Sequence, residues 1–390
     1  MGKKKEKEVK EQRKPTKETI KKEQERKVPE KKKEKDEQTL ENRCPACKAS
    51  ISYNAKLGKW KCEYCGSEFT LEEMQKSSDN ASTKEKNTTK AQTDDYDGYI
   101  NYHCESCGAE IITDDQTAAT FCVYCGNTAI LQSKLSGKFA PSKIIPFKKE
   151  KDDAIKAFKS LSKGRPLMPK NFNNEKNIEK IRGIYIPFFL YDINVSGDIV
   201  MDGKTVETWT VGKTHYTKTN TFQVTRGGSM DFSNVPIDAS TRFDNAIMNT
   251  IEPFDYKDMV EYNHAYLSGF YAEKYDEDPE KLYPEVSDRA LNTARGVLRD
   301  DARMYSSKII TSDGLVAKGK NSDYALLPVW MVNVKYKDKM YIFAMNGQTG
   351  EFIGNIPLDT KKTIIYTIII FTICMIISTI ISYFIFIGGN

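Results

Sequence analysis

The sequence predicts an α+β protein that carries two small tandem zinc ribbons and ends in one transmembrane helix. Three observations lead to this prediction. Eight of the nine cysteines lie between Cys44 and Cys125, in two blocks with the same internal spacing. Patterns typical of helices and of strands are mixed over residues 139–357. Residues 363–387 form a run of twenty-five residues without a charged side chain.

Each cysteine block contains two C-x-x-C motifs separated by fourteen residues. Paired motifs at such a separation are typical of four-thiolate zinc sites, and a reducing cytoplasm keeps the thiols available for metal. The duplicated spacing therefore predicts two Zn2+ ions per chain. The predicted ligands are Cys44, Cys47, Cys62 and Cys65 in the first ribbon, and Cys104, Cys107, Cys122 and Cys125 in the second.

Composition divides the chain into six parts. The first part is strongly charged, with sixteen basic and ten acidic residues, and it has too few apolar side chains to offset the entropy of ordering. A polybasic arm for lipid or nucleic acid is the alternative for this part, but the interleaved glutamates argue against it. The predicted parts are a disordered charged tail (1–40), the first ribbon (41–71), a flexible linker (72–98), the second ribbon (99–132), an α+β body (139–357) and a transmembrane helix (363–387).

The body shows alternating element types. Apolar residues at helical spacing predict helices over residues 149–163 and 280–304, while residues 184–195, 324–336 and 340–345 are rich in strand-forming residues. Pro187 indicates an edge strand or a bulge. Glycines predict short strands over residues 197–235, separated at Gly203, Gly212 and Gly227-Gly228.

The charge-free run near the C-terminus is long enough to cross a bilayer. As a helix its twenty-five residues would extend about 38 Å, against a hydrocarbon core of about 30 Å. Lys361 and Lys362 precede it, so the positive-inside rule predicts a single-pass tail anchor in the cell membrane with the N-terminal part in the cytoplasm.

No motif in the sequence predicts a reaction. A four-thiolate zinc has no open coordination position with which to activate water. Residues 211–214, Val-Gly-Lys-Thr, resemble the end of a phosphate-binding loop, but Glu207 stands where that loop needs glycine, so they predict a strand turn. His103, next to Cys104, is predicted to be a bystander rather than a zinc ligand, and His215 and His264 are predicted to be structural. The sequence therefore predicts no catalytic or cofactor-binding residue besides the zinc ligands.

The chain resembles a family of bacterial membrane proteins with tandem zinc ribbons of the transcription-factor-IIB type. The resemblance covers about residues 44–357, and Lys48 departs from it where the other knuckles have glycine. It implies zinc binding and membrane association and implies no activity. The stretches that carry it are Cys104–Asn127, Ile145–Phe147, Tyr185–Phe188, Ile251–Tyr256, Tyr266–Phe270, Leu327–Trp330 and Ala344–Gly350.

These features predict a non-enzymatic, membrane-tethered protein-binding or adaptor module. Glu105, Glu110, Asp114 and Asp115 give the second ribbon an acidic surface, which we expect to repel phosphate and to contact a protein partner. The linker is expected to let the first ribbon reach away from the body. The alternatives are a membrane-localised regulator that binds nucleic acid through the first ribbon and the basic tail, which is disfavoured, and an enzyme hidden in residues 139–357.

Overall fold

The computed structural model describes residues 39–40, 42–82, 99–104, 110–122, 128–169, 172, 174–337 and 339–388. The predicted tail lies outside these residues except for its last two, which form a short strand. Seventeen strands are described, and twelve of them join one sheet. The fold is therefore mixed α+β, as the sequence predicts.

The described strands are distributed between Thr39 and Gly354. In chain order they are β1 (Thr39–Leu40), β2 (Ser52–Asn54), β3 (Lys59–Lys61), β4 (Glu68–Phe69), β5 (Tyr99–His103), β6 (Glu110–Asp114), β7 (Thr117–Phe121), β8 (Thr128–Leu131), β9 (Lys143–Ile144), β10 (Arg182–Val211), β11 (Thr214–Asp238), β12 (Val260–Glu261), β13 (Tyr271–Glu273), β14 (Ser307–Asp313), β15 (Val316–Tyr336), β16 (Lys339–Asn346) and β17 (Phe352–Gly354).

Six α-helices are described between and after these strands. They are α1 (Leu71–Ser82), α2 (Lys151–Ser160), α3 (Glu175–Ile178), α4 (Asn245–Ile251), α5 (Pro279–Asp301) and α6 (Thr360–Gly388). Helices α2 and α5 confirm the two helices predicted in the body. Helix α1 occupies the start of the predicted flexible linker, which is wrong for residues 72–82, and residues 83–98 lie outside the described part.

The large sheet is organised around β10. Its path runs β1-β8-β7-β13-β10-β15-β16-β17, and β11 and β14 pair with β10 farther along its length. Strands β7 and β8 come from the second ribbon, so that ribbon is part of the sheet of the body. The described half of the second ribbon is therefore continuous with the body.

Strand β10 is buried on both faces near its start, which explains its uninterrupted apolar run. Tyr185 and Phe189 point into the core that α5 covers, whereas Ile186 and Phe188 pack with residues of α4. The peptide oxygen of Pro187 accepts a hydrogen bond from the amide of Ala239, and the backbone continues without interruption. The proline thus lies within the sheet, and the register irregularities of β10 occur later, between Tyr191 and Ile193 and between Val200 and Met201.

The prediction of several short strands over residues 197–235 is wrong. Strands β10 and β11 are thirty and twenty-five residues long, and only Gly212 lies in the turn between them, with φ of 62°. Gly203 is needed for close packing instead, because a Cβ there would lie 2.8 Å from the ring of Tyr305. At Gly227 a Cβ would lie 2.7 Å from Cβ of Asp198. The strand turn predicted at residues 211–214 is confirmed.

Helix α6 differs from helices α2 and α5 in having no buried residue among its described side chains. Within Thr360–Tyr383 its most apolar stretch of eighteen residues has a mean hydropathy of 2.7 and is not buried at all. A core helix of this composition would be packed against other elements. One long apolar helix that is exposed to its surroundings is compatible with a membrane anchor.

Candidate metal centre

The first four cysteines lie on two matching turns that have the same backbone hydrogen bonds. The amide of Lys48 donates to the oxygen of Cys44, and the amide of Gly66 donates to the oxygen of Cys62, both over 2.9 Å. Lys48 and Gly66 adopt left-handed backbone angles, with φ of 64° and 73°. The C-x-x-C spacing therefore produces two equivalent knuckles, one before β2 and one after β3.

The four thiols converge on one point. The Sγ atoms of Cys44 and Cys65 are 3.6 Å apart, as are those of Cys47 and Cys62, and all four lie within 4.8 Å of one another. A tetrahedral zinc with Zn–S bonds of about 2.3 Å separates its sulfurs by roughly 3.8 Å. The arrangement fits a closed four-thiolate site, and we expect zinc binding there to stabilise the ribbon.

Without metal, two thiols of the first cluster have opposite pKa shifts. Hydrogen bonding to the side chain and then to the backbone of Ser67 lowers the pKa of Cys65 to about 6. At Cys47 the backbone of Ala49 acts to lower the pKa, but burial and the neighbouring thiols raise it to about 12. Metal binding has to displace these protons, so it is expected to strengthen as the pH rises.

Lys48 is a non-glycine residue at a position that favours glycine. A left-handed α conformation costs a residue with a Cβ about 1–2 kcal/mol, part of which is offset because glycine loses more entropy on folding. Lys48→Gly should therefore stabilise the zinc-loaded first ribbon by roughly 0.5–1 kcal/mol. Competition with a chelator measures this as tighter zinc retention. Lys61→Gly, in the extended strand β3, is the matched control and should have the opposite effect.

The second cysteine group is only partly described. Cys104 and Cys122 are buried side by side with Tyr102, Ile111 and Leu131 in a small core. Cys107 and Cys125 lie outside the described residues, so the convergence of four thiols is established for the first group alone. The second zinc ion stays a prediction, as does the complete ligand set of the second ribbon. The side chain of His103 also lies outside the described part.

The first ribbon is fixed to the body by aromatic side chains. Trp60, of which 1% is exposed, donates from Nε1 to the oxygen of Ala265 over 2.8 Å, and the amide of Tyr53 donates to the oxygen of Ser268. The rings of Tyr53, Trp60 and Tyr266 lie 5.0–5.4 Å apart. Burial of these rings opposes separation, so the expectation that this ribbon reaches away from the body is wrong.

Two of the four carboxylates predicted to contact a partner instead form ion pairs within the protein. Asp114 pairs with Arg242, and Asp115 pairs with both Lys134 and Lys274. Partial burial disfavours ionisation of Asp115, but the hydrogen bonds from both lysines outweigh it and lower its pKa. Asp114 and Asp115 therefore attach the second ribbon to the body, which the sequence did not reveal because the cations come from distant segments. The side chains of Glu105 and Glu110 lie outside the described part.

Asp238 is a buried titratable residue that the sequence did not single out. It is 1% exposed, and its Oδ1 accepts the amide of Ser240 over 3.1 Å, while Oδ2 has no hydrogen-bond partner in the described part of the chain. Burial raises its pKa to about 7 from an ordinary value of 3.8, and Glu277, Asp276 and Glu273 act in the same direction. The folded state therefore binds this proton more tightly than the unfolded chain does.

This shift predicts a loss of stability as the pH rises. The contribution of Asp238 is fully present below about pH 4 and is lost as the pH passes through about 7, with an upper limit of about 4 kcal/mol. Asp238→Asn should make the free energy of unfolding less dependent on pH, because an amide does not titrate. Urea denaturation in detergent at pH 5 and pH 8 measures the difference. The exposed Asp288→Asn variant should retain the dependence of the unaltered protein.

Comparison with known proteins gives a relative that covers most of the chain. The Bacillus subtilis (strain 168) protein described as "Uncharacterized protein YdjG" is 33% identical over 320 residues, which is 82% of this chain and 91% of the relative. The chain belongs to the YdjG family. No family model matches the chain, and no solved structure matches it. The YdjG relationship thus supports the bacterial family implied by the resemblance, while the zinc-ribbon assignment depends on the cysteine geometry.

Proposed function

We propose that this member of the YdjG family is a membrane-tethered zinc protein that binds another protein and catalyses no reaction. The converging thiols of the first ribbon support a structural metal, because four sulfur ligands leave no position for substrate. Helix α6 supports a single-pass anchor. With Lys361 and Lys362 at its start, the positive-inside rule favours a body that faces the cytoplasm.

The observation that carries the protein-binding proposal is an exposed aromatic hairpin. Beyond Lys204, where pairing with β14 ends, β10 continues with β11 as its described strand partner. We call residues 205–221 the hairpin extension. Trp209 and Tyr216 lie directly opposite each other on it, with stacked rings 5.6 Å apart, and they are 46% and 45% exposed. Large exposed aromatic side chains are typical of the centres of protein interfaces.

The hairpin extension lies at the end of β10 that is far from the anchor. Arg182, at the start of β10, pairs with Met331 of β15, and Lys337 follows the end of β15. The ammonium of Lys337 is 3.5 Å from Oγ1 of Thr360, where α6 begins. At about 3.3 Å per residue, the thirty residues of β10 extend at most roughly 100 Å. This placement favours a partner in solution over the lipid of the anchoring membrane.

Site-specific photo-crosslinking tests the proposal in cells. A photoreactive residue at Trp209 or Tyr216 should yield a discrete crosslinked protein, whereas one at Val297, an exposed apolar position on α5, should not. Trp209→Ala should remove the crosslink formed from Tyr216. The adaptor function is abandoned if neither position crosslinks to a protein. It is also abandoned if the full chain binds nucleic acid at about micromolar affinity in physiological salt.

A further inference from the structure

A cleft opens where the first ribbon, the second ribbon and the body meet. Its volume is about 720 Å³, which is within the range of about 300–1,000 Å³ common for small-molecule sites. Residues Ser52–Ala55 of the first ribbon form one wall, Phe121 of the second ribbon contributes to another, and the start of α2 lies across from them. The cleft has no role in the metal site or in the hairpin extension.

Aromatic side chains form the apolar part of the cleft. Tyr53, Phe121 and Tyr271 are only half-buried, and the rings of Phe121 and Tyr271 meet edge to face at 4.8 Å. Phe270 and Trp330 lie beneath them and are largely buried. These residues give a planar organic group a surface to stack on, and their packing against the core limits how far the surface can move.

Two cations, Arg182 and Lys151, also line the cleft. Arg182 donates from one guanidinium nitrogen to the oxygens of Glu179 and Ile181, which fixes the orientation of its planar group. Partial burial lowers the pKa of Lys151, and the nearby charge of Arg182 lowers it further. Within the described residues, neither cation has a carboxylate within 4.0 Å. By contrast, Glu150, which lines the cleft, pairs with Lys56 at 2.6 Å.

Helix α2 begins at Lys151, and its N-terminus is already capped within the protein. The side chain of Glu150 accepts from the backbone of Asp153, and the amide of Glu150 donates to the carboxylate of Asp153. Four carboxylates line the cleft, those of Glu63, Glu150, Asp152 and Glu179, and Lys61 and Lys149 line it besides Lys151 and Arg182. The cleft is therefore close to electroneutral, and an anion would be held by short contacts to Arg182 and Lys151 rather than by a long-range field.

We propose that this cleft binds a small organic phosphate whose phosphate lies between Lys151, Arg182 and the start of α2, and whose planar ring stacks on Tyr53, Phe121 and Tyr271. The fork of an arginine matches phosphate oxygens, and the two cations, which have no carboxylate within 4.0 Å among the described residues, supply the compensating charge. The volume accommodates a mononucleotide-sized molecule. This site is independent of the protein-binding function proposed above.

The first zinc cluster completes the cleft. Strand β2 and Ala55 lie between the two cysteine knuckles, and Lys56 joins this segment to Glu150 at the start of α2. Loss of the metal is expected to disorder the wall that carries Tyr53. Binding of an organic phosphate should thus depend on zinc although the metal does not contact the ligand.

Isothermal titration calorimetry on the zinc-loaded full chain in lipid nanodiscs tests the inference. The probes are adenosine 5′-monophosphate and 1-naphthyl phosphate, with inorganic phosphate and adenosine as the separate halves and empty nanodiscs as the blank. At least one aromatic phosphate should bind with a stoichiometry of one per chain and at least about tenfold more tightly than either half, because only it uses both sides of the cleft.

Variants separate this cleft from unspecific binding. The double variant Lys151→Gln, Arg182→Gln should weaken the aromatic phosphate at least about tenfold, since charge-assisted hydrogen bonds are lost. Both side chains are exposed, and an unchanged thermal midpoint verifies the fold. Lys213→Gln, Lys218→Gln on the hairpin extension is the charge-matched control and should bind normally. The proposal is overturned if neither aromatic phosphate binds at millimolar concentration, or if both double variants bind alike.

Discussion

Replacing Cys62 with serine is expected to remove zinc from the first cluster and to release the first ribbon from the body. Cys62 is fully buried, and a structural zinc contributes about 10–16 kcal/mol to small domains that fold with it. Trp60 is two residues away, so unfolding of the second knuckle should also withdraw its ring from the body. Elemental analysis of the purified chain should show one zinc fewer than in the unaltered protein.

Hydrogen exchange locates the effect of this substitution. The amides of Cys44, Lys48, Cys62 and Gly66 should lose protection, whereas those in the pair formed by β10 and β15 should keep it. Cys374→Ser, in α6, is the matched control and should change neither zinc content nor exchange. An unchanged zinc content in the Cys62→Ser protein would show that the four thiols do not jointly bind one zinc ion.

Ending the chain after Asp359 is expected to move the protein from the membrane to the soluble fraction. The deleted helix contains the apolar stretch of mean hydropathy 2.7, and the described remainder has no second helix long and apolar enough to cross a bilayer. Fractionation with carbonate extraction measures the shift. A chain in which an unrelated apolar helix replaces α6 should return to the membrane, because length and hydropathy are what the bilayer requires.

Proteolysis then determines the orientation. Protease added to intact cells, or to spheroplasts where a wall is present, should leave residues 39–359 uncut until the membrane is lysed. Cleavage of the ribbons or the hairpin extension without lysis would place the body outside the cytoplasm. Retention of the truncated chain in the membrane after carbonate extraction would contradict the anchor itself.

Local patterns predicted the elements whose geometry is decided by neighbours in the sequence. The C-x-x-C spacing was enough to place four thiols together, and helical spacing identified α5 within a few residues. Glycines over residues 197–235 were misread because a glycine that ends a strand and one that admits a neighbouring ring have the same local sequence. Gly203 is of the second kind, and its neighbour Tyr305 lies about a hundred residues away.

The sequence alone did not predict the contacts between segments that are far apart in the chain. Trp60 alternates with two exposed lysines in β3, a pattern that indicates one buried face but not what covers it. From the sequence, Asp114 and Asp115 were interpreted as a free acidic surface, because their ion-pair partners Arg242 and Lys274 are more than a hundred residues away in the chain. The cleft likewise combines residues from three parts of the chain, and no single stretch of sequence contains its chemistry.

The hydrogen bond from Trp60 to Ala265 couples zinc binding by the first ribbon to docking of that ribbon on the body. If only the zinc-loaded ribbon docks on the body, the free energy that it gains by docking is added to the free energy of zinc binding. Every 1.4 kcal/mol of docking then corresponds to a roughly tenfold lower dissociation constant for zinc. By the same linkage, a ligand that strengthens docking of the ribbon on the body would raise the affinity for zinc. Loss of zinc is therefore expected to weaken the contact between Trp60 and Ala265.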